Sequence, residues 1–209
     1  MRKLRLIAVT GSHGKSITAN LISKILQAGQ FKTALVDADV PVGQLYKKLI
    51  DSWYQQVNYV VLIVPHEVMK RSKLPGIRWD MAVLTNLSGE YRDMDDTFND
   101  YGERKLRLFK KIKSSGIGVV NADDINAAAF LDVNKNSVGY GIGEGEVRAT
   151  NIRTTSGGFR LTIGESDFDL NSHNTLAINY ALAAVTVGQK LGLLDTQIAK
   201  GLAGAHFER

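Results

Sequence analysis

The residues best suited to chemistry form one short run, Thr10-Gly11-Ser12-His13-Gly14-Lys15-Ser16. It follows the apolar segment Leu4-Arg5-Leu6-Ile7-Ala8-Val9 directly and precedes a helical pattern. Glycines let consecutive backbone N–H groups turn toward one anion, and a helix N-terminus adds the positive end of its dipole. Lys15 offers a cation to the outer phosphates of a nucleotide, and the Ser16 hydroxyl offers a ligand to magnesium. Val9 stands where the first glycine of G-x-x-x-x-G-K-[ST] belongs, so the run is the shorter G-x-x-G-K-S. The competing explanation is a chance Gly-Lys in a tight turn. The strand–loop–helix context favours a nucleotide site built from Gly11, Ser12, His13, Gly14, Lys15 and Ser16. His13 is expected to shape the loop rather than act as a base.

Such a loop needs a strand and a helix to hold it, and the flanking pattern supplies both. Ile17, Leu21, Ile22, Ile25 and Leu26 recur at helical spacing, and Gly29 ends that helix. Residues 31–37, 58–64, 81–85 and 117–121 read as further strands, and 97–114 as a helix through Tyr101, Leu106, Leu108, Phe109 and Ile112. The nearly continuous apolar character of 58–64 suits a strand covered on both faces. Strand–helix alternation of this kind predicts an α/β fold, a mostly parallel sheet flanked by helices. After Asp124 the texture changes. Segments 137–140, 146–154, 159–163 and 168–170 read as short strands between Gly-rich turns, a small antiparallel subsheet in the C-terminal half. Helices over 176–191 and 196–202 complete the chain.

Bulk properties narrow the function classes. The 209 residues suit one large domain, and 44% hydrophobic with 22% charged residues allows a sizeable core. There is no cysteine, which excludes disulfides and thiolate metal sites. No apolar run is long enough to span a bilayer, and the N-terminus runs straight into the loop rather than reading as a signal peptide. A soluble, cytoplasmic protein is expected, with no membrane partner. The net charge of +5 leans toward anionic ligands, but no basic-aromatic stripe supports nucleic acid. The cluster Lys105, Arg107, Lys110, Lys111 and Lys113 reads first as a solvated helix face. Trp53 and Trp79 read as packing residues, and His66 and His173 as structural histidines.

Several separated stretches together resemble the central, ATP-binding domain of the Mur ligase family, most nearly the UDP-N-acetylmuramoyl-tripeptide synthetase branch. They are residues 8–16, similar to T-G-T-[NH]-G-K-[ST]; Ala82-Val83-Leu84-Thr85-Asn86-Leu87-Ser88; Tyr101-Gly102-Glu103-Arg104-Lys105 with Leu108-Phe109; Asn121-Ala122-Asp123-Asp124; and Asn179-Tyr180-Ala181-Leu182-Ala183-Ala184. The resemblance covers nearly the whole chain and implies the P-loop fold of that domain over residues 1–209. The family's N-terminal UDP-binding and C-terminal amino-acid-binding domains have no counterpart in it. It also implies the family's reaction: ATP phosphorylates a carboxylate, and an amine attacks the acyl phosphate, giving an amide, ADP and phosphate. The cofactors so implied are ATP and Mg2+. The substrates would be a UDP-linked muramoyl peptide and an amino acid, and a homo-oligomer is allowed. Lys105 falls where the family carries a lysine carbamylated by carbon dioxide, which makes Lys15 and Lys105 the two catalytic candidates. Asn174 and Asn179 lie near the family's adenine-contacting asparagines, at a different spacing.

The departures from the family pattern concern metal ligands. The family's magnesium-binding glutamate after the third strand is replaced by Ile63-Val64-Pro65-His66, with Glu67 further along. Its metal-binding histidine reads Tyr91, which precedes Lys105 by the family spacing of fourteen residues, with Glu90 beside it. The later His-Gly reads Asp95-Asp96, and the G-R-x-E ending reads Ala205-His206-Phe207-Glu208. Glu67, Glu90, Asp93 and Asp95 are the carboxylates available as substitutes, and Ser16, Glu67 and Glu90 are taken as the candidate ligands. The acidic stretch over residues 90–100 reads equally well as a solvated loop. Two functions therefore stand: the core of an amide-forming ligase, or a nucleotide-binding module with little turnover that acts through a partner or by oligomerising. A third, a partition-type ATPase suggested by residues 34–39, lacks that group's extra loop lysine. Asp37 and Asp39 at the end of the second strand face a ligand crevice or simply form a solvated turn.

Overall fold

The computed structural model describes residues 3–70, 74–87 and 98–205. Strand β1 (Arg5–Thr10) lies inside the sheet, between β3 (Tyr59–Ile63) and β4 (Trp79–Leu84), and pairs in parallel with both. The edge strand β2 (Thr33–Asp37) pairs with β3, and β5 (Ile112–Asn121) with β4. Beyond β5 come β6 (Val138–Gly141), β7 (Val147–Thr155), β8 (Gly158–Ile163) and β9 (Ser166–Leu170), in the order β2-β3-β1-β4-β5-β6-β7-β8-β9. Pairing is parallel from β2 through β7 and antiparallel across β7-β8-β9.

The mostly parallel sheet with a small antiparallel extension is thus as expected, with one correction. Residues 137–140 do not belong to the antiparallel part: β6 runs parallel to β5, through Val119↔Val138 and Val120↔Gly139. Its four residues are all buried, whereas β7 alternates toward solvent, and that continuous burial is the mark of a strand covered on both faces.

Side-chain alternation splits the core into two layers. Ile7 and Val9 of β1, with Val61 and Val83, face α1 (Lys15–Ala28), α6 (Leu176–Lys190) and α7 (Asp195–Ala203). Ala8, with Val60, Leu62, Ala82 and Leu84, faces the opposite layer. That layer holds α2 (Val42–Tyr54), α3 (His66–Lys70), α4 (Phe98–Phe109) and α5 (Ala127–Leu131), through residues such as Leu45, Val68, Phe109 and Phe130. The helix expected over 97–114 ends at Phe109, and Ile112 starts β5 instead. Ile112 is buried in either assignment, so the helical spacing of the apolar residues did not mark the boundary. Trp79 is wholly buried in the second layer, while Trp53 is exposed on α2. No helix among the described residues is long and apolar enough to cross a membrane. With β1, β3, β4 and β5 all parallel, the loops after them gather at one edge of the sheet, where open α/β folds bind ligands.

Candidate active site

Residues 11–14 leave β1 at that edge and turn directly into α1. Gly14, which precedes the helix, adopts a left-handed conformation at φ 76°. A side chain there is excluded twice, because a Cβ would fall 2.0 Å from a ring carbon of Tyr180 on α6. At Gly11, with φ 150°, a Cβ would fall 1.9 Å from Thr85 Oγ1. Backbone therefore lies close against its neighbours at both positions, which leaves room there for glycine alone.

The loop is braced by the segment that follows β4. Ser12 N donates to Asn86 O at 3.0 Å and His13 N to Asn86 Oδ1 at 3.0 Å. His13 O accepts from Thr85 Oγ1 at 2.6 Å and from Asn86 Nδ2 at 3.1 Å. Asn121 at the end of β5 supports that segment in turn, donating to Thr85 O at 3.0 Å, and Tyr140 Oη donates to Leu84 O at 3.0 Å. Burial and the Asp124 carboxylate push the Tyr140 phenol far above its ordinary pKa, so it remains a donor. Thr85-Asn86 and Asn121 are thus part of the scaffold of the loop. Lys15 Nζ donates to Gly11 O (3.1 Å) and Ser12 O (3.0 Å), folded over the cradle it was expected to serve. Ser16 follows in the first turn of α1, exposed.

Asp123 has a separate structural task. Its carboxylate accepts from the amides of Ile142, Gly143 and Glu144 at 2.7, 3.0 and 2.8 Å, pinning the turn between β6 and β7. Amide bonds to a charged acceptor are among the stronger ones. Asp123→Ala is expected to cost about 2–3 kcal/mol in urea denaturation and to lose hydrogen-exchange protection at those three amides. Unchanged protection there would contradict this assignment.

Lys105 departs most from a surface reading. It projects from α4 with 1% exposure, and its Nζ has no hydrogen-bond partner among the described residues. The nitrogen instead lies 3.5 Å from the centre of the Tyr101 ring. Burial, then the nearby Lys15 ammonium, lowers its pKa from the ordinary 10.5 to about 7, against an opposing pull from Glu67. The basic cluster is accordingly not one solvated face. Lys113 lies on β5 and pairs with Asp80 at 2.7 Å, and Lys111 donates to Leu74 O at 2.6 Å. These residues divide among the core, a helix end and a strand because α4 stops at Phe109.

Around Lys105 the structure gathers residues named in the sequence but not assigned to the site. Tyr101 lies one helical turn before it on α4, stacks on His66 with ring centres 4.7 Å apart, and donates from Oη to Ser12 Oγ at 3.2 Å. Arg104 Nη1 lies 2.9 Å from His66 Nε2. A guanidinium only donates, so Nε2 is the acceptor there. The i, i+4 spacing of Tyr101 and Lys105 carried the signal that the two share a helix face.

The remaining candidates are more scattered. Glu67 is exposed in the first turn of α3, close enough to act on Lys105 electrostatically. Glu90, Tyr91, Asp93, Asp95, Asp96 and residues 206–208 lie outside the described residues. Asn174 Oδ1 accepts from Leu176 N at 3.0 Å and so helps start α6. Asn179 precedes Tyr180, and its buried Oδ1 has no hydrogen-bond partner among the described residues. Asp37 Oδ1 accepts from Asp39 N at 2.9 Å, forming a local turn at exposed positions. Among the described residues no three His, Cys, Asp or Glu side chains gather as a metal site. Of the candidate ligands, Ser16 lies in the first turn of α1 and Glu67 in the first turn of α3. Such a sparse set suits magnesium, which keeps several waters and accepts phosphate oxygens.

Comparison with known proteins agrees with this fold. The family model described as the Mur ligase middle domain matches residues 9–187. The UDP-N-acetylmuramyl-tripeptide synthetase of Roseiflexus sp. (strain RS-1) is 30% identical over 89% of the chain and 44% of that protein. A solved UDP-N-acetylmuramoyl-L-alanyl-D-glutamate–2,6-diaminopimelate ligase superposes with a TM-score of 0.90 at 20% identity, over 99% of this chain and 47% of that one. A Thermotoga maritima MurF ligase solved in complex with ADP gives 0.76 at 19% identity, over 93% and 48%. The chain spans about half the length of the relatives it matches.

Proposed function

This chain belongs to the Mur ligase family, and on that premise we propose that it is the ATP-binding core of an amide-forming ligase of peptidoglycan precursor synthesis. The observation that carries the proposal is the pairing of a glycine loop at a helix N-terminus, closed by Lys15, with a buried lysine whose pKa is about 7. Residues 11–16 hold the β- and γ-phosphates of ATP, and Lys15 leaves its two loop carbonyls to neutralise them. A carboxylate of the acceptor attacks the γ-phosphorus, the bond to the bridging oxygen breaks, and ADP leaves. An amine then displaces phosphate from the acyl phosphate. The site's task is alignment and charge compensation. Magnesium, held by Ser16, Glu67 and phosphate oxygens, with Glu90 as a further candidate ligand, would screen the crowded negative charge.

Lys105 supports this through its neutral amine. Its nitrogen adds to carbon dioxide, an N–C bond forms, a C=O electron pair moves to oxygen and one proton leaves nitrogen for solvent. The product is a carbamate, an anion where a cation had been. Asn179, with a buried amide oxygen lacking a partner among the described residues, is available to the adenine amino group, and Asn174 sets the start of its helix. The acceptor is a UDP-linked muramoyl peptide and the amine an amino acid, in a cytoplasmic protein. The matched middle domain is the part that handles ATP.

A second reading rests on Ile63, which offers no ligand where the family has a glutamate, and on the sparse donor set. It is a nucleotide-binding module with little turnover, which acts through oligomerisation or a partner. Phosphate release from ATP, measured with and without a UDP-muramoyl peptide and an amino acid, separates the two. Release that requires the peptide and collapses in Lys105→Ala supports the ligase core. ATP binding without release, unaffected by Lys105→Ala, supports the module.

A further inference from the structure

Tyr101 touches both halves of the site. Its hydroxyl donates to Ser12 Oγ in the phosphate loop, and its ring face lies 3.5 Å from Lys105 Nζ. The ring is nearly fully buried and stacks on His66, which is itself bonded to Arg104, so it has little room to turn. We propose that Tyr101 is a positioning residue that couples nucleotide occupancy of the loop to the placement of the Lys105 amino group. This rests on reading the loop as a nucleotide site.

A hydroxyl can accept and donate at once, so Ser12 can accept from Tyr101 while donating to a phosphate oxygen. Hydrogen bonds in such a chain polarise one another, so a bound anion tightens the hold of Ser12 on the phenol. The phenol and the ring are one rigid body. A pull on the hydroxyl therefore moves the surface on which the lysine rests. An amino group held on a ring face, by cation–π attraction when protonated and by an N–H···π contact when neutral, follows that face. Tyr101 thus meets the loop through its hydroxyl and Lys105 through its ring.

The test uses Tyr101→Phe, which keeps the ring and removes the hydroxyl, with Ser12→Ala and the double variant. ADP affinity is measured by calorimetry for all four proteins. Ser12→Ala is expected to weaken binding by about fivefold, the worth of one ordinary hydrogen bond, and Tyr101→Phe by about twofold, because only the strengthening of its bond to Ser12 depends on the anion. The double variant is expected to be no weaker than Ser12→Ala alone. Independent, additive losses, or a Tyr101→Phe protein that binds like the wild type, would overturn the coupling.

Lysine labelled with 13C at Cε gives the second readout, with the Lys105 signal identified by its loss in Lys105→Met. In the wild type the signal should be ring-current shifted and should move when ADP is added. In Tyr101→Phe it should stay ring-shifted yet no longer respond to ADP. A merely structural tyrosine would leave the ADP response intact, and that result would also overturn the proposal. A wild type that fails to bind ADP at all would sink the nucleotide reading itself. Binding with an additive cycle would sink only the role of Tyr101.

Discussion

Lys105→Met is expected to be more stable than the wild type by about 3–5 kcal/mol near pH 6, with the pH-dependent part of the difference vanishing above about pH 10.5. The folded-state pKa is depressed from 10.5 to about 7. Below about pH 7 the lysine is charged in both folded and unfolded chains, and the folded chain bears the full cost of a buried ammonium. Between about 7 and 10.5 the unfolded chain holds a proton that the folded one has released, so wild-type stability climbs with pH. Above that window neither form is charged. Methionine fills the volume without the charge and removes the dependence. Urea denaturation of both proteins across this range, in buffer depleted of carbon dioxide, measures the effect. Bicarbonate added near pH 8 should stabilise the wild type and leave Lys105→Met unchanged, because only the lysine can trap carbon dioxide. Parallel profiles for the two proteins would mean that the amine is solvated and charged like any surface lysine.

Lys15→Met is expected to weaken ADP and ATP binding by roughly 100-fold, the worth of a charge-assisted contact to phosphate of about 3 kcal/mol. In the absence of nucleotide the ammonium donates to its own loop carbonyls, Gly11 O and Ser12 O. These contacts are partly exposed, so their loss should change thermal stability little. The contrast between a large loss of affinity and a small loss of stability marks a ligand-binding residue. Calorimetry for binding and thermal denaturation for stability give the two numbers. Equal affinities for the two proteins would remove Lys15 from the phosphate site.

The loop was legible because its signal is local. Gly11, Gly14, Lys15 and Ser16 are adjacent, and an apolar strand and a helical repeat flank them. Strands β1, β3 and β4 were legible for a similar reason, since burial on both faces writes a continuous apolar run. Strand β6 was found but assigned to the wrong kind of pairing, because Val138-Gly139-Tyr140-Gly141 carries no direction; its parallel partner is set by how the chain packs. Helices α3 and α5 are five residues each, too short for a period to emerge. Helix α2 buries only Leu45 and Ser52, so the face that would have marked it is thin.

The role of Lys105 was suggested only by family resemblance. The basic residues around it pointed instead to a solvated face, and only the packing of α4 against α3 and the loop separates Lys105 from them. Tyr101, Arg104 and His66 were missed for the same reason: His66 and Arg104 are 38 positions apart in sequence and 2.9 Å apart in space. The bracing by Thr85-Asn86 and Asn121 was present as motifs, but nothing in a linear string says that one supports another.

Backbone amide NMR of the 15N-labelled protein, titrated with ADP and magnesium, bears most directly on the phosphate cradle. Large, saturable shifts at the amides of residues 11–16, absent in Lys15→Met, are the predicted outcome. Saturable binding that moves amides elsewhere and leaves those six untouched, or no change at any amide, would contradict it.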